Sequence, residues 1–511
     1  MSEGKTEEVL VINFGGQYAH MIARRVRQLG VFSELVNPRD LTPSLLELKN
    51  ARAIILSGGP SSVYEPSAPK VEPWVFSAGL PTLGICYGFQ LAAKLMGGDV
   101  SKGEGEYGPT RISVESSPLF EGWEKTEIVW MSHADMVTRP PPGAKVVAKS
   151  EKGYVAALEF GTQVFGVQFH PEVAHTPKGM TLLSNFLFKV SGIKPSWNAS
   201  SAIDAAVNEI RHKVKSGEKV FCAVSGGVDS TVSALIAKKA VGDDLVTVFV
   251  DHGLLREGEA EEVMQTLSGL GLKPKRVDAS ALFLNALKGI SDPEEKRKVI
   301  GELFGRVFED ILSSDPSIRW LVQGTTYPDV VESGEQSLAE RIKSHHNVAG
   351  LPPRLTKRVG LLEPLRYLYK DEVRAMAREL GAANVAARQP FPGPGLAVRV
   401  IGEVTQEKLL TVRKASRIVE EEVRASGIQV WQAFAVVGDD RWVGVKGDKR
   451  EEGLIVTVRV VTSEDGMTAD WARLPHDLIT KIANRITSEV QGVSMVTFAV
   501  SPKPPSTIEP C

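Results

Sequence analysis

The chain has 511 residues, which at roughly 100 to 200 residues per domain predicts about three domains. Hydrophobic residues make up 42% and charged residues 24%, ordinary globular values that exclude disordered, collagen-like and coiled-coil classes. The net charge of -2 argues against binding nucleic acid through bulk charge. The three cysteines do not form a disulfide or zinc pattern, and neither a signal peptide nor a membrane-spanning run is recognisable. We expect a soluble cytoplasmic enzyme that acts on small molecules, without a nucleic acid or membrane partner.

The first part of the chain alternates between strand and helix patterns. Apolar residues at near-helical spacing over 18–29 predict a helix, which is flanked by buried strands at 9–12, 53–56 and 82–85. Strand, helix, strand predicts a parallel α/β sheet. A Gly, Pro and Ser linker at 191–196 closes this segment.

A second α/β pattern follows the linker. Predicted strands at 219–224, 245–250 and 320–323 accompany a predicted helix at 231–240. These elements predict a doubly wound sheet with a ligand at the carboxyl ends of its strands.

The proline-rich stretch 389–395 marks a further boundary, because proline lacks an N–H donor and fixes φ. Beyond it, a predicted helix at 406–425 and strands at 434–437, 442–445 and 454–461 indicate a smaller α+β module. The predicted fold class is therefore α/β, with two consecutive doubly wound parallel-sheet domains followed by an α+β domain. The predicted domains are residues 8–194, 195–388 and 389–511.

Cys86 lies in Gly84-Ile-Cys-Tyr-Gly88, directly after a predicted strand and before a predicted helix. This spacing has the mechanics of a nucleophile elbow, in which flanking glycines permit a sharp turn and backbone N–H groups can bind an oxyanion. The alternative interpretation is a small buried cysteine at a strand end.

Two further turns at strand ends favour catalysis. His170 and Glu172 in Phe169-His-Pro-Glu172 can supply a general base and the carboxylate that orients it. Such a histidine can also merely cap a strand. The glycine turn Ser57-Gly-Gly-Pro60 can offer N–H groups to an oxyanion.

Together, these three motifs resemble class I glutamine amidotransferases over residues 9–190. The resemblance implies that Cys86 attacks the glutamine side-chain amide, His170 transfers protons and Glu172 orients His170. It also implies that the N–H groups of Gly59 and Tyr87 form the oxyanion hole. The products are then glutamate and ammonia.

A polar glycine turn between a strand and a helix in the second pattern predicts a phosphate-binding loop. Its glycines let the backbone approach an anion at a helix N-terminus, and a carboxylate there can hold Mg²⁺. The alternative is an ordinary polar turn. The loop resembles the pyrophosphate loop of N-type ATP pyrophosphatases, and its residues are Ser225, Gly226, Gly227, Val228, Asp229, Ser230 and Thr231.

Four further motifs follow in the chain: Val250-Asp-His-Gly253, Gln323-Gly-Thr-Thr-Tyr-Pro-Asp329, Ile342-Lys-Ser-His-His-Asn347 and Phe391-Pro-Gly-Pro-Gly395. In this order, the motifs resemble the glutamine-hydrolysing GMP synthetase family over essentially the whole chain. The family implies a glutaminase, an ATP pyrophosphatase and a dimerisation module, and hence a homodimer. It implies that Asp229 holds Mg²⁺, the only cofactor expected, and that Val250 meets adenine. The implied lid residues are Lys343, His345 and His346. The residues implied to bind the nucleotide substrate are Arg297, Gln432, Lys503, Ile508 and Glu509.

The resemblance implies that ATP adenylates O2 of xanthosine 5'-monophosphate (XMP) and that ammonia then displaces AMP to give GMP. Two alternatives are a glutaminase without an acceptor site and a regulatory nucleotide-binding protein. The intact phosphate loop argues against the first, and the complete Cys, His and Glu set argues against the second. His345 and His346 suggest a metal site, but no further ligand lies near them in sequence to complete one.

Overall fold

Short apolar segments bounded by glycine or proline form the parallel strands of two sheets in the computed structural model. The structure describes residues 7–332, 358–446, 448–463 and 468–511. Of the described residues, a first compact unit contains residues 7–202 and 330–332, and a second contains residues 203–329 and those from 358 onwards. No helix in these described ranges is both long and apolar enough to cross a membrane.

Within residues 7–202, one sheet has the strand order β2-β1-β3-β4-β9-β8-β7-β5-β6. The strands from β2 to β9 in this order are parallel, and the remaining neighbours are antiparallel. The strands are β1 (Glu8–Ile12), β2 (Phe32–Val36), β3 (Ala51–Leu56), β4 (Thr82–Ile85), β5 (Asp99–Val114), β6 (Thr126–Arg139), β7 (Lys145–Ser150), β8 (Val155–Phe160) and β9 (Val164–Val167).

Helices cover both faces of the parallel strands. Val9 and Val11 of β1 lie in one core with α1 and α4, whereas Leu10 and Ile12 lie in another with α2 and α3. This alternation follows from the two-residue period of a strand. The helices are α1 (Ala19–Gln28), α2 (Pro43–Leu48), α3 (Tyr87–Leu95) and α4 (Gly179–Ser184), which continues into a π-helical turn (Asn185–Val190).

The first sheet is therefore mixed, whereas the sequence predicted a wholly parallel sheet. Strands β5 and β6 were missed because their residues alternate between buried and exposed. A sheet with one solvated face produces alternation, which lacks the continuous apolar run of a strand buried on both faces.

The described residues of the second unit contain a parallel sheet with the order β12-β11-β10-β13-β14. This order is that of a doubly wound sheet, and its switch point lies between β10 and β13. Its elements begin with α5 (Ala199–Lys213), β10 (Lys219–Ala223), α6 (Val228–Val241), β11 (Leu245–Asp251), α7 (Glu259–Gly269), β12 (Lys275–Asp278) and α8 (Ser280–Ala286). They continue with α9 (Pro293–Ser314), β13 (Ile318–Val322), α10 (Tyr327–Glu332), β14 (Gly360–Leu362), α11 (Lys370–Glu379) and α12 (Ala383–Ala386).

The C-terminal part is α+β, as predicted. Strand β16 pairs antiparallel with β15 and β17 and parallel with β18, and α13 and α14 pack on this sheet. Leu396, Val400 and Leu409 lie in the same core as the five-stranded sheet. The elements are a 3-10 turn (Gly395–Arg399), α13 (Gln406–Ala425), β15 (Gln432–Lys446), β16 (Lys449–Thr462), β17 (Asp470–Trp471), α14 (His476–Glu489) and β18 (Val493–Phe498).

Candidate active site

Cys86 stands at the sharp turn between β4 and α3. Its φ of 51° and ψ of -105° are a combination that costs a residue with a side chain about 1 to 3 kcal/mol. The two flanking glycines permit the turn. A Cβ on Gly88 would lie 2.3 Å from the carbonyl oxygen of Leu56, and one on Gly84 would lie 2.7 Å from that of Gly88. The geometry is that of a nucleophile elbow, as the spacing predicted.

His170 and Glu172 follow β9, the parallel neighbour of β4. His170 Nδ1 and Glu172 Oε1 are 2.7 Å apart, and both side chains are buried. Burial lowers the pKa of His170, but hydrogen bonds to Cys86 and Glu172 and the charges of both groups outweigh it and raise the pKa to about 10. The imidazole therefore holds a proton at neutral pH, beside Cys86 Sγ.

The glycine turn after β3 lies against this pair. A Cβ on Gly58 would meet His170 Cε1 at 3.3 Å and Cys86 Cβ at 3.7 Å. A Cβ added to Gly59 would lie 3.3 Å from the ring of Tyr87, so Gly59 packs closely against Tyr87. The backbone N–H groups of Gly59 and Tyr87 donate no hydrogen bond to any other described residue. Both groups are available to an oxyanion.

Two glutamines that the sequence reasoning missed complete this site. Gln168 Nε2 donates a hydrogen bond to Cys86 Sγ at 3.7 Å, and Gln90 Nε2 donates to Gln168 Oε1 at 3.2 Å. Both glutamines are almost fully buried. The available signal was a polar residue at the end of an apolar strand, immediately before Phe169-His170.

The predicted phosphate loop connects β10 to α6, at the switch point of the second sheet. Ser225 Oγ lies 3.1 Å from Ser230 Oγ and accepts from the N–H of Gly227 at 3.3 Å. Gly226 has a φ of 76°, and a Cβ there would lie 2.5 Å from Val263. Val228 begins the helix, so its first N–H groups lie beside the loop. The arrangement suits an anion.

Asp229 and Thr231 bring oxygen atoms to this turn. Lys370 Nζ donates to Asp229 Oδ2 at 2.6 Å, whereas Asp229 Oδ1 is buried and has no partner among the described residues. The hydroxyl of Thr231 is likewise buried and unpartnered within the described ranges. Mg²⁺ is commonly held by one or two carboxylates together with substrate phosphates. The unpartnered oxygen of Asp229 therefore fits a magnesium ion.

Val250 occupies β11, beside β10 in the sheet, and is buried. The following Asp251 accepts from Arg276 at 2.6 Å, and His252 is buried behind it. Burial lowers the pKa of His252 to about 4, despite the nearby charge of Asp251. The ring is therefore neutral at pH 7. The predicted lid residues Lys343, His345 and His346 lie outside the described residues.

The structure brings part of the predicted nucleotide set together. Gln432 Nε2 donates to Glu509 Oε1 at 3.3 Å. Arg297 Nη2 donates to the backbone oxygen of Cys511 at 2.6 Å, and Cys511 is not a member of this set. Ile508 is half-buried next to Glu509. Lys503 instead pairs through its backbone with Ala469.

Three family models match the chain. Glutamine amidotransferase class-I matches residues 10–190, NAD synthase matches residues 202–308, and GMP synthase C terminal domain matches residues 421–510. A GMP synthase (glutamine-hydrolyzing) from Pyrobaculum aerophilum is 55% identical over 509 residues, with 99% of this chain and 100% of that protein covered. One from Thermomicrobium roseum is 51% identical, with 98% of this chain and 96% of that protein covered. The chain therefore belongs to the family of glutamine-hydrolysing GMP synthases.

Proposed function

We propose that two sites divide the glutamine-dependent synthesis of GMP, with the first unit releasing ammonia from glutamine and the second activating XMP with ATP. This division is supported by the location of the two motifs in different sheets. The cysteine elbow belongs to the first sheet and the phosphate loop belongs to the second. The family to which the chain belongs carries out this reaction.

In the first unit, Cys86 Sγ, whose proton His170 has taken, attacks the side-chain amide carbon of glutamine. The new S–C bond forms as the oxygen takes the negative charge, which the N–H groups of Gly59 and Tyr87 stabilise. His170 gives its proton to the leaving nitrogen, and the C–N bond breaks to release ammonia. Water then hydrolyses the thioester to glutamate, with His170 as base and Glu172 as its orienting carboxylate. The 2.7 Å bond between His170 and Glu172 supports these roles.

In the second unit, residues 225–231 bind the ATP phosphates through backbone N–H groups and hydroxyls. Asp229 would hold Mg²⁺, which neutralises phosphate charge when bound. Val250 contacts adenine. O2 of XMP forms a bond to the α-phosphorus, and the bond to pyrophosphate breaks. Ammonia then adds at the activated carbon, and AMP leaves.

A mononucleotide substrate needs only a few charged side chains to bind its phosphate, base and ribose. Arg297 and Lys503 suit its phosphate, and Glu509 accepts a hydrogen bond from a purine N–H or a ribose hydroxyl. Gln432 and Ile508 complete the pocket.

The observation that carries the proposal is the strained Cys86 beside the buried pair of His170 and Glu172. The protein is incubated with ATP, Mg²⁺ and XMP, with either glutamine or ammonium, and GMP and AMP are measured. Cys86→Ala is expected to lose glutamine-dependent synthesis and to retain ammonium-dependent synthesis. Equal loss with both nitrogen sources would contradict the two-site account.

We also propose that the C-terminal module carries a homodimer interface. Trp442, Val443 and Val445 of β15 are exposed by 52%, 46% and 74%, which is unusual for apolar side chains on one strand. Sedimentation equilibrium is expected to give a dimer, and Trp442→Glu with Val445→Glu should shift it to a monomer. A dimer unaffected by these changes would place the interface elsewhere.

A further inference from the structure

Arg399 ends the 3-10 turn that follows the proline-rich segment and is only 2% exposed. Its Nε donates to Glu509 Oε2 at 3.1 Å, and its Nη2 donates to Glu509 Oε1 at 3.1 Å. Two parallel hydrogen bonds from a planar guanidinium fix both the position and the plane of a carboxylate. The orientation of Glu509 is thus set by a residue 110 positions earlier in the chain.

The surroundings of Arg399 leave this guanidinium little freedom. Its Cζ lies 4.2 Å from the ring centre of Phe434 and 5.2 Å from that of Phe391. Gln432 adds a third hydrogen bond to Glu509 and anchors its own amide on the carbonyl oxygen of Pro390 at 2.9 Å. The carboxylate is therefore held by groups that are themselves fixed.

Stability alone does not account for this arrangement. Arg399 Nη1 is buried and has no hydrogen-bond partner among the described residues. Removing a charged N–H from water without a partner is costly, and buried ion pairs often stabilise a fold less than apolar packing does. A positioning role explains why a buried guanidinium stands here.

We propose that Arg399 is a positioning residue that presents Glu509 to the nucleotide substrate. An ionised carboxylate only accepts hydrogen bonds, and its two oxygens offer about four acceptor sites. Arg399 and Gln432 occupy three of these, which leaves a defined direction for a purine N–H or a ribose hydroxyl. The inference rests on the proposed contact between Glu509 and the nucleotide.

The test uses ammonium-dependent GMP synthesis by the full chain, so that the cysteine site is bypassed. Arg399→Met and Arg399→Lys are each expected to raise the KM for XMP about tenfold and to leave the KM for ATP unchanged, since lysine cannot form the paired bonds. Glu509→Gln is expected to raise the KM for XMP as well. Adding Arg399→Met to Glu509→Gln should cause little further change, because both act through one contact.

Arg459 provides a matched control. It is also a buried arginine that contacts the C-terminal residues, but it lies in β16 and donates to the carbonyl oxygens of Ser501 and Thr507 and not to Glu509. The effect of Arg459→Met should therefore add to that of Glu509→Gln. Thermal unfolding identifies any variant that does not fold, and Arg399→Lys then replaces Arg399→Met in the double variant.

The outcomes distinguish the inference from the function on which it rests. An unchanged KM for XMP in Glu509→Gln refutes the nucleotide contact of Glu509. A raised KM in Glu509→Gln with an unchanged KM in both Arg399 variants overturns the positioning role alone. Additive effects of Arg399→Met and Glu509→Gln, or equal rises in the KM values for ATP and XMP, also overturn it.

Discussion

Replacing Cys86 by glycine and by alanine separates the chemistry of the thiol from the strain of the backbone. The φ of 51° and ψ of -105° cost a residue with a Cβ about 1 to 3 kcal/mol. Glycine adopts this conformation freely, but it loses about 0.5 to 1 kcal/mol in conformational entropy on folding. The difference favours Cys86→Gly over Cys86→Ala by about 1 kcal/mol.

Differential scanning calorimetry of the two variants measures this difference. For a unit of about 200 residues, a change of about 1 kcal/mol moves the Tm by about 2 to 4 °C. The transition of the first unit is therefore expected at a higher temperature in Cys86→Gly. Both variants should lose glutamine-dependent synthesis, because each lacks the nucleophile.

Cys222 provides a matched control, because it lies in strand β10 and its φ is not positive. There, Cys222→Gly is expected to be less stable than Cys222→Ala, since glycine in a strand loses more entropy. If Cys86→Gly proved no more stable than Cys86→Ala, the strain assigned to the elbow would be wrong.

Three further predictions concern charge. Glu172→Gln should lower the pKa of His170 and reduce glutaminase kcat by on the order of a hundredfold, and an unchanged pH profile would contradict the orienting role. Asp229→Asn should reduce ammonium-dependent kcat/KM by about tenfold or more. The control Asp243→Asn, near the other end of the same helix, should leave kcat/KM unchanged. An equal loss of kcat/KM in both variants would refute the metal role of Asp229. Burial raises the pKa of Glu8 from 4.5 to about 7, so its folded form keeps a proton that the unfolded chain releases. The contribution of Glu8 to the free energy of unfolding is therefore complete below pH 4.5 and is lost as the pH rises through 7. Between pH 4.5 and about 7, Glu8→Gln should therefore remove about 2 to 3 kcal/mol of the fall in the free energy of unfolding, measured by urea unfolding at each pH. A pH dependence of stability that Glu8→Gln leaves unchanged would refute the raised pKa of Glu8.

Elements with a single strong periodicity could be predicted from the sequence. The strand Thr82–Ile85 and the helix Gln406–Ala425 have the predicted bounds. Strand β15 was predicted as two strands, because Gly438-Asp-Asp440 has the composition of a turn. In the structure, the strand continues through this segment with a shift in register between Val437 and Arg441. A local composition does not distinguish such a bulge from a turn, because the partner strand decides between them.

The dependence of local structure on strand pairing also explains which site residues could be predicted from the sequence. Cys86 and His170 each follow an apolar strand and stand in turns with their own chemical signature, so each could be proposed without knowing its neighbour. Their proximity depends on β9 pairing with β4, with Ile85 opposite Val167, although β5 to β8 lie between them in the chain. That register also delivers Gln168 to the sulfur of Cys86. The place of Gln168 at the end of an apolar strand marks it as unusual but does not reveal this contact, because the strand register decides which atom lies beside its amide.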